Sequence, residues 1–467
     1  MLRVPPDVDL FDETLREGAE RSPLFVDVAT KVELARRIVD TGIRTIVVGM
    51  YPDVPHNIEL TRALLRARLD GELPTDTRFV IITHLGARLR RTRQLVRDLN
   101  CDTSALWILG IHSVSDEQLR HLYPMVRNYP AVAPPTDCDP PLADWLGCTD
   151  QVRRADSLGW LRSELPVLAD TPGIGGALVG LLDAFRADKS HLHDAVEVVR
   201  DAGISQIRLV DTAGTCYPRQ AGELVSSLVT RNPELKFYGH FHDDFGMATA
   251  NAMTGLESGL SGADVSVGGI ANRAGHPALA EIVMALKHLS TGRASRYRTE
   301  SLYELSRLTE RTYGLIERPA QPITGSITYA VQSGIRTDLL KRSPKIFDEV
   351  DPAEIGSEII KMYGVRSGQD GLLRIIAGNQ HEFAAAGVAV APTTEFADRL
   401  HELLEREWSA RTAAAASRLR AAIDEHDSAL RAAFFDERSV VEWIVATAPA
   451  LRLPADSAAT ALAPNND

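Results

Sequence analysis

Two histidines, His240 and His242, stand one residue apart in the stretch YGHFHDDFGMATANA, residues 238–252. If the residues before them form a strand, side chains alternate between its faces and the two imidazoles point the same way. The residues that follow have the spacing of a helix, so we expect the pair at the end of a strand. With one carboxylate, the two imidazoles make a three-ligand metal site that leaves coordination positions open for water or substrate.

Glu17 is the best carboxylate candidate, because it follows the first predicted strand and stands beside Arg16. A 2-oxo acid could chelate a divalent metal through its keto and carboxylate oxygens, and its carbonyl would then be polarised. The neighbouring guanidinium could stabilise the negative charge that develops on that oxygen. These residue types therefore indicate carbon–carbon bond chemistry at a ketone.

Eight short apolar or β-branched segments alternate with helical patterns through about the first 290 residues. Eight alternating β/α units predict an α/β fold, a parallel (β/α)8 TIM barrel, whose functional groups gather at the carboxyl ends of the strands. The segments are VDLFDETLREG, RTIVVGM, RFVIITHLG, ALWILGIHS, GALVGLLDAFR, QIRLVDTAG, FYGHFHDD and ADVSVGGI.

The predicted strand ends carry polar side chains that we expect on one rim of the barrel. Each of them alone is more often a structural hydrogen-bonding group than a functional one, so their shared position is what favours a site. We predict substrate contacts for Glu20, His84, Arg186 and Asp211. The wider rim set is Asp12, Arg16, Glu17, His84, His112, Asp183, Arg186, Asp211, His240, His242, Asn272, Arg273 and His276.

Three further regions complete the predicted domain organisation. The barrel domain spans 1–295, with an insertion at about 113–175 that is too long for a single crossover and is either a substrate lid or a decoration. Residues 296–450 are predicted to form a linker and a smaller, mainly helical C-terminal subdomain. The tail 451–467 has few large apolar side chains, so we expect it to be disordered.

The composition limits the classes of partner. A formal net charge of -12 and the absence of a conspicuous Lys/Arg cluster argue against nucleic acid. No run of about 18 apolar residues occurs, and the first residues lack a secretory pattern, so we expect neither membrane insertion nor export. A cytoplasmic protein with a small-molecule substrate is the resulting expectation.

Four motifs in order resemble a known group. DETLREG, LVDTAGTCYP, HFHDDFGMATANA and GGIANRAGHPALAEIVMALK resemble the strand-one, strand-six, strand-seven and strand-eight motifs of the DRE-TIM metallolyase superfamily. The similarity is to its isopropylmalate synthase and homocitrate synthase branch, which has an HMGL-like, pyruvate carboxyltransferase-type domain. Beyond the barrel, ITGSITYAVQSGIRTDLLKRSPKIFDEVDPAEIG resembles the post-barrel subdomain of that branch, so the resemblance covers roughly residues 8–376.

The resemblance implies a Claisen-type condensation of an acyl-CoA, such as acetyl-CoA, with a metal-bound 2-oxo acid in a homodimeric enzyme. By position, Arg16 would stabilise the oxo-acid oxygen, and Glu17, His240 and His242 would hold Mn²⁺, Mg²⁺ or Zn²⁺. His276 stands where many members have an asparagine ligand and could still coordinate the ion. Glu17 resembles the homocitrate synthases, since isopropylmalate synthases usually have aspartate there.

Three departures from the pattern concern the chemistry. Val47 occupies the second-strand position of the family's glutamate, and Phe347 replaces a tyrosine of the subdomain. Arg336 replaces the subdomain histidine that takes part in proton transfer. Because arginine stays protonated, it can hold an anion but is a poor base. We therefore assign Arg336 a catalytic-site role in which it meets an extra carboxylate or phosphorus-type anion on the substrate.

Three functional hypotheses remain open from the sequence. The first is an acyltransferase that condenses an acyl-CoA with an unusual 2-oxo acid in a specialised biosynthetic pathway. The second is a metal-dependent lyase or aldolase on the same scaffold. The third is a non-catalytic barrel that acts as a regulator or partner subunit, which the loss of the histidine and tyrosine pair supports. Retention of Arg16 and Glu17 with both histidines favours catalysis.

Overall fold

Eight parallel strands close into a barrel in the order in which they occur along the chain. The structure, a computed structural model, describes residues 3–5, 7–127, 153–290, 297–315, 318–331, 349–361, 368–434 and 436–447. The strands are β1 (Asp9–Asp12), β2 (Thr45–Tyr51), β3 (Arg78–His84), β4 (Leu106–Ser113), β5 (Gly176–Leu182), β6 (Gln206–Asp211), β7 (Lys236–Phe241) and β8 (Gly262–Val265). The predicted barrel and its eight strands are confirmed.

The strands are apolar on both faces because both faces are covered. One cluster of buried side chains fills the inside of the barrel, and a larger one lies between the strands and the surrounding helices. Alternation along a strand assigns neighbouring residues to opposite clusters. The inner cluster is Phe11, Val47, Val80, Ile82, Leu109, Ile111, Leu178 and Tyr238.

The helices form the outer layer of the barrel. Two of them begin at aspartate N-caps, where the side chains of Asp27 and Asp188 accept hydrogen bonds from the backbone amides of Thr30 and His191. The helices around the barrel are α1 (Ala19–Arg21), α2 (Val28–Asp40), α3 (Pro55–Leu69), α4 (Ala87–Arg97), α5 (Asp116–Arg127), α6 (Arg154–Ala169), α7 (Lys189–Asp201), α8 (Pro218–Arg231), α9 (Ala248–Glu257), α10 (Leu279–Leu289) and α11 (Leu302–Tyr313).

The predicted insertion at 113–175 contains two of these helices. Helix α5 directly follows β4, and α6 packs against α7 as well as against strands β4 and β5. Arg154 at the start of α6 forms a bidentate ion pair with Asp116 at the start of α5. Both described ends of the segment therefore belong to the helix layer, and residues 128–152 lie outside the described residues.

After the barrel the chain is mainly helical, as predicted. A two-stranded parallel sheet pairs β9 (Ala330–Val331) with β10 (Ile360–Lys361). The helices that follow are α12 (Gly368–Gly378), α13 (Gln380–Ala385), α14 (Thr394–Ala433) and α15 (Glu437–Thr447). Arg336, Phe347 and the predicted disordered tail 451–467 lie outside the described residues. Within the described part of the chain, no helix combines the length and apolar character needed to cross a membrane.

Candidate active site

A π-helical turn, Thr14–Gly18, directly follows β1 and carries Arg16 and Glu17 to the rim. Asp12, the last residue of β1, stabilises the start of this turn, because its carboxylate accepts hydrogen bonds from the Thr14 backbone amide at 2.9 Å and from the Thr14 hydroxyl at 3.1 Å. π-helical turns are rare and occur often at functional sites. The turn places Arg16 against Glu17, whose carboxylate accepts a hydrogen bond from Arg16 Nη1.

Strand β7 and the loop after β8 supply three imidazoles that meet next to this turn. His240 and His242 are separated by one residue on β7 and its end, so both rings point inward. His276 follows the glycine-rich loop after β8, and its ring packs against both of them. The ring centroids are 5.1 Å apart for His240 and His242, 4.3 Å for His240 and His276, and 4.5 Å for His242 and His276.

Glu17 and these three histidines could hold a metal ion. One ligand atom from each of the four residues lies within 4.8 Å of the others, and all four side chains are buried. His242 Nδ1 and both ring nitrogens of His276 are buried without a hydrogen-bond partner. Since burying such groups without a partner costs free energy, a bound cation is the partner that best fits this set.

The charge states of the cluster suit metal binding. Burial lowers the pKa of His242 to about 4 and the pKa of His276 well below its usual value, so both rings are neutral and keep a lone pair. Burial raises the pKa of Glu17, but the Arg16 guanidinium and His240 outweigh this effect, and the pKa of Glu17 is lowered. A carboxylate and neutral imidazoles are the forms that bind divalent metals.

Three buried charged residues under this cluster were missed by the sequence analysis. Arg208 Nη1 donates to Glu13 Oε1 at 3.0 Å, and Arg208 Nη2 lies 3.2 Å from Asp264 Oδ1. Asp264 Oδ2 is in turn 2.5 Å from Nδ1 of His240. A signal was present in the sequence, because charged side chains inside otherwise apolar strands, such as Arg208 in QIRLVD, require partners inside the barrel.

Two of the predicted substrate-binding residues, Glu20 and His84, are not fully buried: Glu20 is exposed and His84 is half-buried. Asn272, after β8, donates from its backbone amide to Glu17 Oε2 at 3.1 Å and from its side chain to Glu20 Oε2 at 2.5 Å. His84 ends β3 and continues the inward-facing positions of Val80 and Ile82. Burial, with a smaller effect of Arg88, lowers the pKa of His84 to about 4.

The other two predicted substrate-binding residues make structural contacts. Asp211 accepts hydrogen bonds from the backbone amides of Thr215 and Cys216, both at 3.1 Å, and so shapes the turn after β6. Arg186 forms a bidentate pair with the buried Asp183 at 2.8 and 2.7 Å. Neither residue is brought to the metal-ligand cluster by these contacts, and their role in substrate binding stays a prediction.

One member of the predicted rim set, His112, points outward to the helix layer instead of to the barrel interior. His112 Nε2 lies 2.7 Å from the Ser157 hydroxyl of helix α6, and the ring packs near Tyr123 and Trp160. The expectation that His112 lies at the rim is wrong, because residues alternate along β4 and Ile111 takes the inward position.

A cavity of about 240 Å³ adjoins the cluster on the side of β8. His276 and the glycine-rich loop form one wall, and Arg21, Arg273 and Arg318 are among its lining residues. Arg273 is also held by Asp244 at 2.8 and 2.9 Å. The inner wall of the barrel is different, since Ile82 and Ile111 belong to its apolar inner cluster and the partly buried Met50 and Leu182 pack against that cluster.

Comparison with known proteins supports the resemblance seen in the sequence. The HMGL-like family model matches residues 175–309, which include β5 to β8 and the three histidines. A probable 2-isopropylmalate synthase of Ignicoccus hospitalis is 26% identical over 370 residues, 79% of this chain and 82% of that protein. A homocitrate synthase of Sulfolobus acidocaldarius is 25% identical over 352 residues, 75% of this chain and 66% of that protein.

One further relative and one solved structure extend the comparison. A 2-phosphonomethylmalate synthase of Streptomyces rubellomurinus is 27% identical over 365 residues, 78% of this chain and 86% of that protein. Among solved structures, hydroxymethylglutaryl-CoA lyase from Pseudomonas aeruginosa has a TM-score of 0.50 and 16% identity, covering 67% of this chain and 95% of that one. At this identity the structural likeness shows the barrel fold alone.

Proposed function

From its similarity to the HMGL-like family model over residues 175–309 and to isopropylmalate and homocitrate synthases, we propose that the chain is an acyltransferase of the DRE-TIM type. It condenses an acyl-CoA, acetyl-CoA in the simplest case, with a 2-oxo acid. The observation that carries the proposal is the convergence of Glu17, His240, His242 and His276 beside Arg16 in one buried cluster.

The proposed reaction balances as a condensation followed by hydrolysis. A proton leaves the methyl carbon next to the thioester, and that carbon forms a bond to the keto carbon of the oxo acid. The keto oxygen takes up a proton and becomes a hydroxyl. Water then cleaves the thioester C–S bond, so that the products are free coenzyme A and a 2-hydroxy acid with one more carboxylate than the oxo acid.

Glu17, His240, His242 and His276 are the residues that would hold the divalent ion. When bound, such an ion polarises the keto group of a chelating 2-oxo acid. Arg16 is placed beside Glu17 with a side chain that is only 10% exposed, so its charge acts in a site with little water. Its guanidinium would stabilise negative charge on the keto oxygen as the new bond forms.

The charges of the buried groups also favour this type of ligand. Glu13, Glu17 and Asp264 as carboxylates face Arg16 and Arg208 as guanidiniums, which leaves one net negative charge. A divalent cation with one substrate carboxylate would bring one net positive charge. The carboxyl of Asp12, whose burial raises its pKa to about 7, adds to the acidic character of the set. The site therefore favours a cation, because buried charges need partners of opposite charge.

The cavity beside His276 is the proposed location of the acyl-CoA. Its position next to the metal-ligand cluster would bring the acyl group close to the keto carbon. Guanidinium groups bind phosphates well, and Arg21 and Arg318 on its lining suit the phosphates of coenzyme A.

The test is free-thiol release from acetyl-CoA in the presence of Mn²⁺, measured across a panel of 2-oxo acids with pyruvate-like, branched and dianionic members. We expect thiol release that depends on both the metal and one class of oxo acid, and that is abolished by Glu17→Gln. Mass spectrometry should give a product whose formula is the sum of the oxo acid and acetic acid. Cleavage of 2-hydroxy acids without any thiol release would instead identify a lyase.

A further inference from the structure

A continuous path of alternating charge runs through the barrel interior from Arg16 to His240. Arg16 Nε donates to Glu13 Oε2 at 2.8 Å, and Glu13 Oε1 accepts from Arg208 Nη1 at 3.0 Å. Arg208 Nη2 is ion-paired with Asp264 Oδ1 at 3.2 Å, and Asp264 Oδ2 meets His240 Nδ1 at 2.5 Å. Each carboxylate in this path therefore contacts at least two side chains, which are either positively charged guanidiniums or a hydrogen-bonding imidazole.

The interior charges of this path are almost completely removed from water. The side chains of Glu13 and Asp264 are 0% exposed and that of Arg208 is 1% exposed. Burying a charge is unfavourable, and replacing a buried ion network with well-packed apolar side chains is often neutral or stabilising. A contribution to stability therefore does not explain why three charged residues lie under the site. A role in fixing the geometry of the site explains them.

The two ends of the path are fixed in complementary ways. At one end, Glu13 binds Nε of Arg16 while Glu17 binds Nη1, which sets the plane of the guanidinium. At the other end, Asp264 holds Nδ1 of His240, which leaves Nε2 at 3.9 Å from Glu17 Oε1. One network therefore orients both the proposed oxyanion-stabilising group and a proposed metal ligand.

We propose that Glu13 and Arg208 are positioning residues, which hold Arg16 and His240 in one fixed arrangement relative to each other. Their effect on turnover rests on the proposed function, whereas their effect on metal binding does not. Arg208 is the central member, because its guanidinium bridges the two interior carboxylates, Glu13 and Asp264. His240 Nδ1 lies 2.5 Å from Asp264 Oδ2 and 3.9 Å from Glu13 Oε1.

The proposal also accounts for Val47. Strands β1 and β2 pair Phe11 with Thr45 and Asp12 with Ile46, so the register places position 47 beside position 13. Val47 belongs to the inner cluster and Glu13 reaches Arg208 inside the barrel, so both side chains point inward. In this chain the carboxylate that faces the barrel interior at this position is therefore Glu13, directly after β1. Its neighbour on β2, Val47, is apolar.

The first experiment compares Mn²⁺ affinity, by isothermal titration calorimetry without any substrate, in the wild type and Glu13→Gln. This substitution keeps the size of the side chain but removes the charge that pairs with both arginines. We expect Mn²⁺ affinity to fall about 10- to 100-fold, because the support for His240 is weakened. In thiol-release assays, kcat should fall by a similar factor while KM for acetyl-CoA changes little.

Glu164→Gln is the matched control. Glu164 is also a buried carboxylate, 8% exposed, in a bidentate pair with Arg90 at 2.8 and 2.9 Å. This pair joins α6 to α4 in the outer helix layer, away from the cluster. A merely structural role for Glu13 would give both variants a lower Tm with unchanged Mn²⁺ affinity. That result overturns the proposal.

Arg208→Lys is measured in the same way and decides the question if Glu13→Gln does not fold. Lysine keeps the charge but lacks the planar fork that contacts Glu13 and Asp264 together, so we expect the same loss of Mn²⁺ affinity. Wild-type affinity in a folded Arg208→Lys protein would contradict the proposal. If the wild type binds Mn²⁺ but never releases thiol, the proposed function fails, and the Mn²⁺ comparison still decides this inference. A wild type that binds no Mn²⁺ overturns both.

Discussion

His240 and Asp264 meet inside the barrel with Nδ1 and Oδ2 2.5 Å apart, while Nε2 of the same ring lies 3.9 Å from Glu17 Oε1. Metal-binding histidines commonly donate their second ring N–H to a carboxylate, which fixes the tautomer and the ring orientation. The two nitrogens of His240 thus have separate tasks. One is held by the protein, and the other points to the cluster.

The first prediction concerns the metal ligands. We expect about one divalent ion per chain in the wild type, and a loss of most of it in His240→Ala and in His242→Ala, because too few protein ligands remain to hold the ion against water. Elemental analysis of the purified proteins measures this. His288→Ala, on helix α10 and outside the cluster, is the control and should keep its metal. Full metal content in both cluster variants would show that the assignment is wrong.

The second prediction concerns Arg16. In Arg16→Lys the charge remains, but the two contacts with Glu13 and Glu17 cannot both be made by one ammonium group in the same plane. Turnover should fall at least about a hundredfold, and Tm should change little. Arg90→Lys, which alters an ion pair away from the site, should keep wild-type turnover. Near wild-type turnover in Arg16→Lys would remove this residue from the mechanism.

The third prediction concerns pH and His112. Burial, with smaller effects of His191 and His84, lowers the pKa of His112 to about 3. Below about pH 6.5 the unfolded chain takes up a proton at this ring and the folded protein does not, so stability falls as the pH falls. From pH 7.5 to pH 5 this one ring should cost about 2 kcal/mol of unfolding free energy.

His112→Asn tests this prediction, because the amide can still meet Ser157 but does not titrate. Urea unfolding at pH 7.5 and pH 5 should give a smaller pH dependence in the variant by about that amount. The informative quantity is the change in unfolding free energy between pH 7.5 and pH 5. The substitution also changes the packing, but this effect is present at both pH values and cancels in the difference. An equal pH dependence in the two proteins would show that another group is responsible.

The fourth prediction concerns Arg336 and the substrate side chain. The inner-wall residues Met50, Ile82, Ile111 and Leu182 are uncharged, so a second anion on the oxo acid needs a cation from elsewhere in the chain. If Arg336 supplies it, Arg336→Ala should raise KM for a dianionic oxo acid about tenfold or more, with little change for pyruvate-like acids. Equal effects on both classes in the same thiol-release assay would contradict a role in anion recognition.

The sequence by itself determined the barrel and most of the proposed metal ligands. Covered parallel strands are apolar on both faces and are separated by helical patterns, so their number and order can be read locally. The one-residue separation of His240 and His242 fixes their common direction through the period of a strand, and Glu17 follows from the end of β1. All of these relationships depend on residues close together in the chain.

Only the tertiary structure decided which distant side chains support the cluster. Glu13 directly follows β1, and Arg208 and Asp264 lie in β6 and β8. Their contacts depend on barrel closure, which brings β8 beside β1. His112 shows the same limit, because a shift of one position along a strand reverses the face of a side chain. Local spacing therefore predicted which strands end at the site, whereas strand register and barrel closure decided which charges meet inside it.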